Sequence, residues 1–399
     1  MPRANQFRHQ RYQSDRPTSP YHLLPAICPT QPSTADFSSQ LAAAGARFGK
    51  ANVAAIYCVH GTFAGNDALG ALTELARFSP ELSKSLRKLG KRTVDLVAGE
   101  TGNYTPEYVA TMQSGLSAGA GRVIPVRLFN WSSQNNHIGR ADGAIRLLDE
   151  LERLAAESAA EGSVSSAPRR VVLWGHSHGG NVFALLTNLL GADAKAREDF
   201  FAAARSFYRP WFCGDVDMPV WPRMEELLQN ADHPLRDWKL DIVTFGTPIR
   251  YGWDTEGCAN LLHFIHHRPV ADGPEYLAPQ SIEVSRLLKA QDGDYIQHLG
   301  IAGTNLAATI LSPRTFLADW RLDKYLERDT PREGFFKRLK HGTRVPEEGT
   351  TLLVDYAEVE PGLHNHLAGH ALYTRRKWLP FHCLQVADRF YGAHSIEAS

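Results

Sequence analysis

The sequence lacks an excess of charge of either sign, since 43 lysines and arginines balance 43 aspartates and glutamates in a chain of 399 residues. Without a basic surface field, nucleic acids and anionic membranes lose the attraction that supplies much of their binding energy. Long hydrophobic runs are also missing, because no window reaches the roughly 18 apolar residues that cross a bilayer. We therefore expect no nucleic-acid partner and no transmembrane segment.

Cysteine is scarce and forms no C-x-x-C pair; the five cysteines are Cys28, Cys58, Cys213, Cys258 and Cys383. An odd number at wide spacing is typical of neither a disulfide framework nor a zinc ribbon, and it favours a reducing compartment. The opening "MPRANQFRHQRYQSDRPTSPYHLLP" has basic residues but lacks the apolar stretch of a secretory signal peptide. We expect a cytoplasmic protein, and export without a cleaved signal is compatible with the sequence.

Apolar residues are plentiful, at 43% of the chain, which is enough to bury the core of one big or two modest domains. Residues 1–45 differ from the rest because they are rich in Pro, Ser, Gln and Thr and show no hydrophobic periodicity. We predict a poorly ordered N-terminal arm there. Residues 46–399 are predicted to form the folded domain, and nothing in them requires a cofactor.

From about residue 50, short apolar runs alternate with helical stretches. The predicted strands are 52–59, 122–131, 169–175, 239–248, 260–267 and 350–359, and predicted helices include 67–90, 139–160 and 181–190. Several strands are apolar at consecutive positions, as parallel strands buried on both faces are. The pattern predicts an α/β fold with a mostly parallel central sheet and helices on both faces. Residues 191–238 are predicted to be a cap-like insertion, and 268–349 a second insertion with its own helices.

The pattern G-x-S-x-G, whose glycines flank a possible nucleophilic serine, occurs twice. One copy centres on Ser177 in "VVLWGHSHGGN" and the other on Ser117 in "GLSAG". A tight turn between a strand and a helix presents a nucleophilic serine best. Ser177 has a strand before it and a helix after it, whereas "PEYVATMQS" before Ser117 predicts no strand. We predict Ser177 as the nucleophile; the alternative is a serine that only caps the following helix.

Two loops are placed to donate backbone amides to an oxyanion beside Ser177. One donor is the amide of His178, the residue after the nucleophile. The other is the amide of Thr62 or Phe63, in the "HGTF" loop that follows the strand 52–59. We predict these groups as the oxyanion hole.

Residues that border the substrate are predicted in the "HGTF" loop and in the insertion at 191–238. His60 precedes the "HGTF" glycine, and we interpret it as a loop-bracing residue at the substrate site rather than as the base. Trp211 and Phe212 lie in the aromatic-rich insertion, whose rings suit an acyl chain and a hydrophobic core equally well. His176 and His178 flank the nucleophile and are interpreted as residues that shape the turn.

The motifs "HGTFAG", "GHSHGG" and "TFGTP", in this order, make the chain resemble the α/β-hydrolase serine esterases and lipases from about residue 50 to 395. The resemblance implies a triad that runs Ser, then Asp or Glu, then His, with the histidine in a loop after the last strand. It also implies an α/β-hydrolase fold with an insertion over the sheet.

Four histidines lie in residues 360–390, after the last predicted strand: His364, His366, His370 and His382. We favour His370 as the base, because a glycine precedes it and a helix is predicted to start near Thr374. His364 and His366 remain alternatives, and His382 lies inside the predicted helix and is interpreted as structural. No carboxylate or cysteine lies at a familiar ligand spacing from the histidines, so we do not predict a metal site.

The acid of the triad is expected in a loop after the strand 260–267. We favour Asp294 in "AQDGDYIQHLG" over Asp272 in "HHRPVADGPEY". Asp254, after the preceding strand, is a third candidate. Each of the three could instead be an ordinary turn or helix-cap aspartate.

The function expected from these residues is cleavage of a carboxylic ester, on a small-molecule or lipid substrate, through an acyl-enzyme and without a cofactor. An amidase, a thioesterase or an acyltransferase could use the same triad. A non-catalytic hydrolase-like binding module is the alternative from a different class. A bacterial lipase effector delivered into competing cells is also compatible with the missing signal peptide.

Overall fold

The core of the molecule is a seven-stranded sheet in which every neighbouring pair of strands is parallel, in the order β1-β7-β6-β5-β4-β2-β3. In this computed structural model, the described residues are 6–9, 16–61, 102–160, 168–209, 217–230, 232–269, 272–277, 284–298, 312–327, 344–357 and 366–392. The strands are β1 (Tyr21–Ile27), β2 (Val53–Val59), β3 (Val126–Phe129), β4 (Arg170–His176), β5 (Lys239–Phe245), β6 (Asn260–His266) and β7 (Thr350–Tyr356).

The predicted α/β fold with a parallel central sheet is confirmed, and each of the six predicted strands is present. The interior strands are buried at consecutive positions because helices cover both of their faces. In β4, for example, Val171 and Leu173 belong to one hydrophobic cluster and Val172 and Trp174 to another. Consecutive apolar residues are therefore needed to fill the core on each side of the sheet.

The helices are α1 (Ala35–Lys50), α2 (Pro106–Ala120), α3 (His137–Ala160), α4 (His178–Gly191), α5 (Ala194–Tyr208), α6 (Val220–Gln229), α7 (Val284–Leu287), α8 (Pro313–Leu326) and α9 (Leu379–Tyr391). Helices α1, α2 and α9 contribute to the hydrophobic cluster on one face of the sheet. Helices α3, α4, α5, α6 and α8 contribute to the cluster on the other face. Within the described ranges, no helix combines the length and the apolar character that a bilayer crossing requires.

The N-terminal region differs from its prediction. The poorly ordered arm expected over residues 1–45 is wrong for β1, which pairs in parallel with β7, and for α1, which begins at Ala35. The side chain of Thr34 caps α1 by accepting the Phe37 amide at 3.2 Å. Strand β1 lies at the sheet edge with its side chains half-buried or exposed, so its sequence lacks the apolar run that identifies the interior strands.

The insertion at 191–238 carries α5 and α6, and its described aromatic residues form a packed core. The ring of Trp221 lies 5.2 Å from that of Tyr208 and 5.6 Å from that of Phe207, between ring centroids. All three side chains are buried, and Trp221 Nε1 donates a hydrogen bond to Asp142 of α3 at 3.0 Å. These rings hold α5 and α6 against α3. Trp211 and Phe212 lie outside the described residues.

Candidate active site

The carboxyl ends of β2 and β4 lie side by side, with Val59 paired to Gly175. After β2 the chain continues to the edge strand β3, which lies on one side of β2, and then to β4, which lies on the other side. The connections that leave β2 and β4 therefore run in opposite directions along the sheet. A crevice at such a point is where parallel sheets usually bind ligands. A Cβ placed on Gly61, in the loop after β2, would lie 2.5 Å from the Cβ of Ser177. The loop can touch Ser177 this closely only because residue 61 is glycine.

Ser177 stands between β4 and α4 with a φ of 54° and a ψ of −131°. Such a conformation costs a non-glycine residue roughly 1–3 kcal/mol and persists only when neighbouring groups hold it. Here the Ser177 amide donates to the Phe245 carbonyl at 2.8 Å, and Thr247 Oγ1 donates to the Ser177 carbonyl at 2.9 Å. Ser177 makes no side-chain capping bond to α4, which argues against the helix-cap alternative.

The second copy of the serine pattern is structural. Ser117 lies inside α2 and not at a turn between a strand and a helix. Its Oγ accepts the amide of Ile124 at 3.0 Å. Positions 115 and 119 face α1, where a Cβ at Gly115 would lie 2.6 Å from the Leu41 side chain. The glycines of this copy therefore serve the contact between two helices.

His370 lies in the turn that leads into α9, after three residues with positive φ: Leu367 (44°), Ala368 (53°) and Gly369 (85°). Its Nδ1 donates a hydrogen bond to Asp294 Oδ2 at 2.8 Å, because a carboxylate can only accept. Its Nε2 is buried and has no hydrogen-bond partner among the described residues. In the neutral imidazole, this bond selects the tautomer with the proton on Nδ1 and the lone pair on Nε2.

The loop that carries His370 packs beside the residue that precedes Ser177. His176 Nε2 donates to the His370 carbonyl at 2.9 Å, and the two imidazole centroids are 4.7 Å apart. Burial and the neighbouring His370 lower the pKa of His176 to about 3, so its ring is neutral. His176 shapes the site and does not carry a proton at neutral pH.

Asp294 follows β6 and is completely buried. Besides the His370 ring, Oδ2 accepts the Tyr373 hydroxyl at 2.9 Å, and Oδ1 accepts the Gln297 amide at 2.8 Å. Burial alone would raise the pKa of the carboxyl, but the His370 ring and the Gln297 amide, helped by the buried Arg344, hold it below its usual value. Asp294 is therefore ionised at neutral pH.

The structure brings Asp294, and neither of the other two candidate acids, to His370. Asp272 is exposed, on a turn where its φ is 64°. The side chain of Asp254 accepts the Glu256 amide at 3.1 Å and so caps a short 3-10 helix. Asp254 also packs against Gly191, at the end of α4 opposite to Ser177. Both fit the turn and cap roles that short polar side chains commonly have.

The remaining histidines near the last strand have structural partners. His366 Nε2 donates to the Leu288 carbonyl at 3.0 Å, and His366 Nδ1 accepts the Gly369 amide at 3.2 Å. His382 lies inside α9, where its Nε2 accepts the Tyr356 hydroxyl at 2.7 Å. His364 lies outside the described residues. The predicted helix near Thr374 begins slightly later, with a 3-10 turn from Arg376 and α9 from Leu379.

His178 is the first residue of α4, so its backbone amide lies at the positive end of a helix. Its ring is held by the neighbouring turn of that helix, since Asn181 Nδ2 donates to His178 Nδ1 at 3.0 Å. Burial, followed by the charges of Arg140 and Arg250, lowers the pKa of His178 well below its usual value. The predicted partner amides of Thr62 and Phe63 lie outside the described residues.

His60 is buried and packed into the loop after β2. Its Nδ1 is 2.9 Å from Ser133 Oγ, and Ser133 Oγ donates to the Gly61 carbonyl at 3.0 Å. The His60 carbonyl accepts Trp131 Nε1 at 2.9 Å. These bonds fix the loop against the segment after β3, which agrees with a bracing role for His60.

Within the described ranges, the group that offers metal-ligand atoms is His137, Asp323 and Glu327, whose donor atoms all lie within 4.8 Å of one another. His137 Nε2 is 3.3 Å from Asp323, and its Nδ1 is 2.8 Å from the Tyr251 hydroxyl. The Arg250 guanidinium already contacts the Glu327 carboxylate. The group is therefore a network of polar side chains that lies between the start of α3 and the end of α8.

Two residues beside the His370 and Asp294 pair have no role in the prediction from sequence. Tyr373 contacts Asp294 directly, and the buried Arg344 donates to the His266 carbonyl at 2.6 Å at the end of β6. Tyr373 stands three positions after His370 in "GHALYT", which is the one local signal for it. Arg344 has no signal, because only the folded chain brings it to β6.

No protein-family model, no curated protein and no solved structure matches this chain.

Proposed function

We propose that the protein is a serine hydrolase of the α/β-hydrolase type that cleaves carboxylic esters through an acyl-enzyme. The observation that carries the proposal is the conjunction of two features at one edge of the sheet. Ser177 occupies a strained turn between a strand and a helix. Next to that turn, His370 Nδ1 donates to a buried carboxylate, and His370 Nε2 has no hydrogen-bond partner among the described residues. This is the arrangement that a base needs before it can take a proton from a hydroxyl.

The order of the elements supports the α/β-hydrolase type. Ser177 follows β4, Asp294 follows β6 and His370 follows β7, so the candidate residues run Ser, Asp, His along the chain. That order is the one found in α/β-hydrolases, and it differs from the order in other serine hydrolases. Because all strands are parallel, their carboxyl ends lie at the same edge of the sheet.

The proposed reaction has two halves. In the first, Ser177 Oγ attacks the ester carbonyl, His370 Nε2 takes the hydroxyl proton and returns it to the departing alcohol, and the acyl group stays on Ser177. In the second, His370 takes a proton from water, the resulting hydroxide attacks the acyl carbonyl, and the proton returns to Ser177 as the acid leaves. Asp294 orients the ring and stabilises its positive charge in both halves.

The oxyanion that forms in each half needs donors that are already in place. The His178 amide, at the start of α4, is the proposed donor next to Ser177. Thr62 or Phe63 is proposed to supply the second amide. Each such donor is worth about 3 kcal/mol in the transition state.

A fluorophosphonate probe, which labels only activated serines, tests the nucleophile. We expect the wild type to be labelled and Ser177→Ala to be unlabelled. Ser117→Ala is the matched control, since it removes the serine of the other G-x-S-x-G copy and, among the described residues, its bond to the Ile124 amide. Labelling that persists in Ser177→Ala would exclude Ser177 as the nucleophile.

A panel of p-nitrophenyl esters, with matched anilides and thioesters, tests the reaction class. We expect turnover of the esters that disappears in Ser177→Ala. Faster turnover of the anilides or thioesters would reassign the protein to the amidases or thioesterases. A wild type that neither turns over the panel nor reacts with the probe would instead support the binding module.

A further inference from the structure

The Tyr373 hydroxyl is fixed by a backbone group on one side and by Asp294 on the other. Its oxygen accepts the His266 amide at 2.7 Å and lies 2.9 Å from Asp294 Oδ2. A backbone N–H can only donate, so that bond occupies a lone pair of the tyrosine oxygen. The hydroxyl proton is therefore directed at the carboxylate.

The bond from Tyr373 ends on the same oxygen that orients the base. Asp294 Oδ2 accepts both the Tyr373 hydroxyl and His370 Nδ1, while Oδ1 accepts the Gln297 amide. Rotation of the carboxylate would break bonds at both oxygens. The plane of the carboxylate, and with it the direction in which Oδ2 faces the imidazole, is thus set by its other two donors.

The backbone at the end of β5 leaves room for this pair. Gly246 has a φ of 55°, and a Cβ there would lie 2.5 Å from Asp294 Oδ2 and 2.6 Å from the Tyr373 ring. Any other residue would push the carboxylate and the tyrosine away from each other. The presence of glycine at position 246 of "TFGTP" is therefore explained by its contacts with Asp294 and Tyr373, and not by Ser177.

We propose that Tyr373 is a positioning residue of the candidate triad, whose hydroxyl holds Asp294 Oδ2 at the point from which it orients the His370 ring. This inference rests on the proposed hydrolase function. Its hydroxyl bonds Asp294 Oδ2, and its ring lies edge-on to the His370 ring with 6.4 Å between the centroids. The role proposed for the hydroxyl is exerted through Asp294. Burial raises the pKa of the Tyr373 hydroxyl well above its ordinary value, so the hydroxyl remains a donor over the whole working pH range.

The first test compares two tyrosine-to-phenylalanine variants. Tyr373→Phe keeps the ring and removes the hydroxyl, and with it the bonds to Asp294 and to the His266 amide. Tyr356→Phe is the matched control, because Tyr356 is equally buried, its ring lies 5.6 Å from that of Tyr373, and its hydroxyl bonds His382. Each variant loses one buried hydroxyl, and Tyr373→Phe should lose more stability in thermal unfolding because it also leaves the His266 amide without this acceptor.

We expect Tyr373→Phe to lower kcat and the fluorophosphonate labelling rate roughly 10-fold with KM unchanged, because a small displacement of a catalytic group is costly. Tyr356→Phe should stay within about 2-fold of the wild type, as expected for a change that leaves the site in place. Equal losses in the two variants would mean that Tyr373 only supports the fold, and would overturn the proposal.

A double-mutant cycle separates action through Asp294 from any other route. In an Asp294→Asn background, adding Tyr373→Phe should change the residual labelling rate by less than about 2-fold, because the group that Tyr373 positions is gone. A further 10-fold loss in that background would overturn the proposal.

If Tyr373→Phe does not fold, 3-fluorotyrosine can be placed at position 373 instead, since it keeps the ring and the hydroxyl but alters the donor strength. We expect its labelling rate to change by more than about 2-fold, while the same replacement at Tyr356 has no effect; equal rates would overturn the proposal.

The wild type and Ser177→Ala are labelled in parallel. If the wild type is not labelled, the proposed function itself is excluded. If the wild type and Tyr373→Phe are both labelled normally, only the proposed role of Tyr373 is excluded.

Discussion

Asp294, Asp272 and Asp254 are the same residue type in three different physical states. Asp294 is buried with a donor on each oxygen, and its pKa is lowered despite the burial. Asp272 is exposed, and Asp254 caps a short helix. A buried carboxylate that stays ionised must be compensated by its neighbours, and here one of them is a histidine. The environment, and not the residue type, therefore singles out Asp294 as the candidate acid.

Replacement of Asp294 by asparagine should lower kcat by about 10⁴-fold, with a much smaller effect on KM, if the proposed triad operates. Asparagine has the same shape, but its amide group favours the tautomer of His370 that lacks the lone pair on Nε2. Steady-state ester hydrolysis measures the change. Asp272→Asn and Asp254→Asn are the controls and should remain within a few-fold of the wild type. If either control lost most of its activity while Asp294→Asn retained activity, the role of the acid would belong to that control residue and not to Asp294.

At the scale of elements, α5 and α6 show how an aromatic-rich insertion can be core rather than pocket. Trp221 is stacked on Tyr208 and lies edge-on to Phe207, and all three rings are buried. Rings that are packed on all sides have little surface left for an acyl chain. The described aromatic residues of this insertion therefore stabilise the helical layer over α3.

Trp221→Ala should destabilise the protein by about 3–5 kcal/mol, because it leaves a large cavity and an unpaired Asp142 oxygen. Chemical denaturation measures this change. The dependence of KM on ester chain length should stay that of the wild type. Trp320, which is 45% exposed on α8, is the control, and Trp320→Ala should cost less than about 1 kcal/mol. If KM rises with ester chain length in Trp221→Ala and does not do so in the wild type, the ring borders the substrate.

At the scale of the whole molecule, the parallel sheet gathers segments that are distant along the chain. The loops after β2, β4, β6 and β7 carry Gly61, Ser177, Asp294 and His370, respectively. Parallel strands all point the same way, so these loops meet at one edge. The described helices cover the two faces of the sheet. The candidate site is thus a consequence of strand direction and strand order.

The whole molecule also buries many neutral histidines: burial lowers the pKa of His176, His266, His267 and His382 to about 3 and that of His263 to about 4. In the unfolded chain the pKa of histidine is about 6.5, so below that pH the unfolded state binds protons that the folded state excludes. The free energy of unfolding should be highest above pH 6.5 and fall steadily from there towards pH 4. Urea denaturation across this range measures the slope.

A single buried histidine can be tested against an exposed one. His382→Gln should reduce the slope of the free energy of unfolding against pH by about one proton between pH 6 and 5. His22, on the exposed side of β1, is the control, and His22→Gln should leave the slope unchanged. An unchanged slope in His382→Gln would mean that His382 does not stay neutral in the folded protein.

The interior strands and the turn at Ser177 could be predicted from the sequence because their signals are local. A strand buried on both faces must be apolar at consecutive positions, as "RVVLW" is, and a tight turn between a strand and a helix needs glycines near the serine. The rejection of Ser117 rested on the same local context, and the structure places Ser117 inside a helix. Each of these signals lies within about ten residues of the feature that it predicts.

Only the tertiary structure decided which acid meets His370, because Asp294 stands 76 positions before it and the sequence left Asp272 and Asp254 as alternatives. The tertiary structure also decided the pairing of β1, because its partner β7 lies at the far end of the chain. Tyr373 and Gly246 likewise have roles only in the folded protein, where the loops after β5, β6 and β7 converge. Burial and pairing of polar groups depend on which loops a sheet brings together, and that information is spread over the whole chain. By itself the sequence determined the strands β2 to β7, the helices α3 and α4 and the tight turn at Ser177, because their signals are local. The folded sheet determined what surrounds that turn.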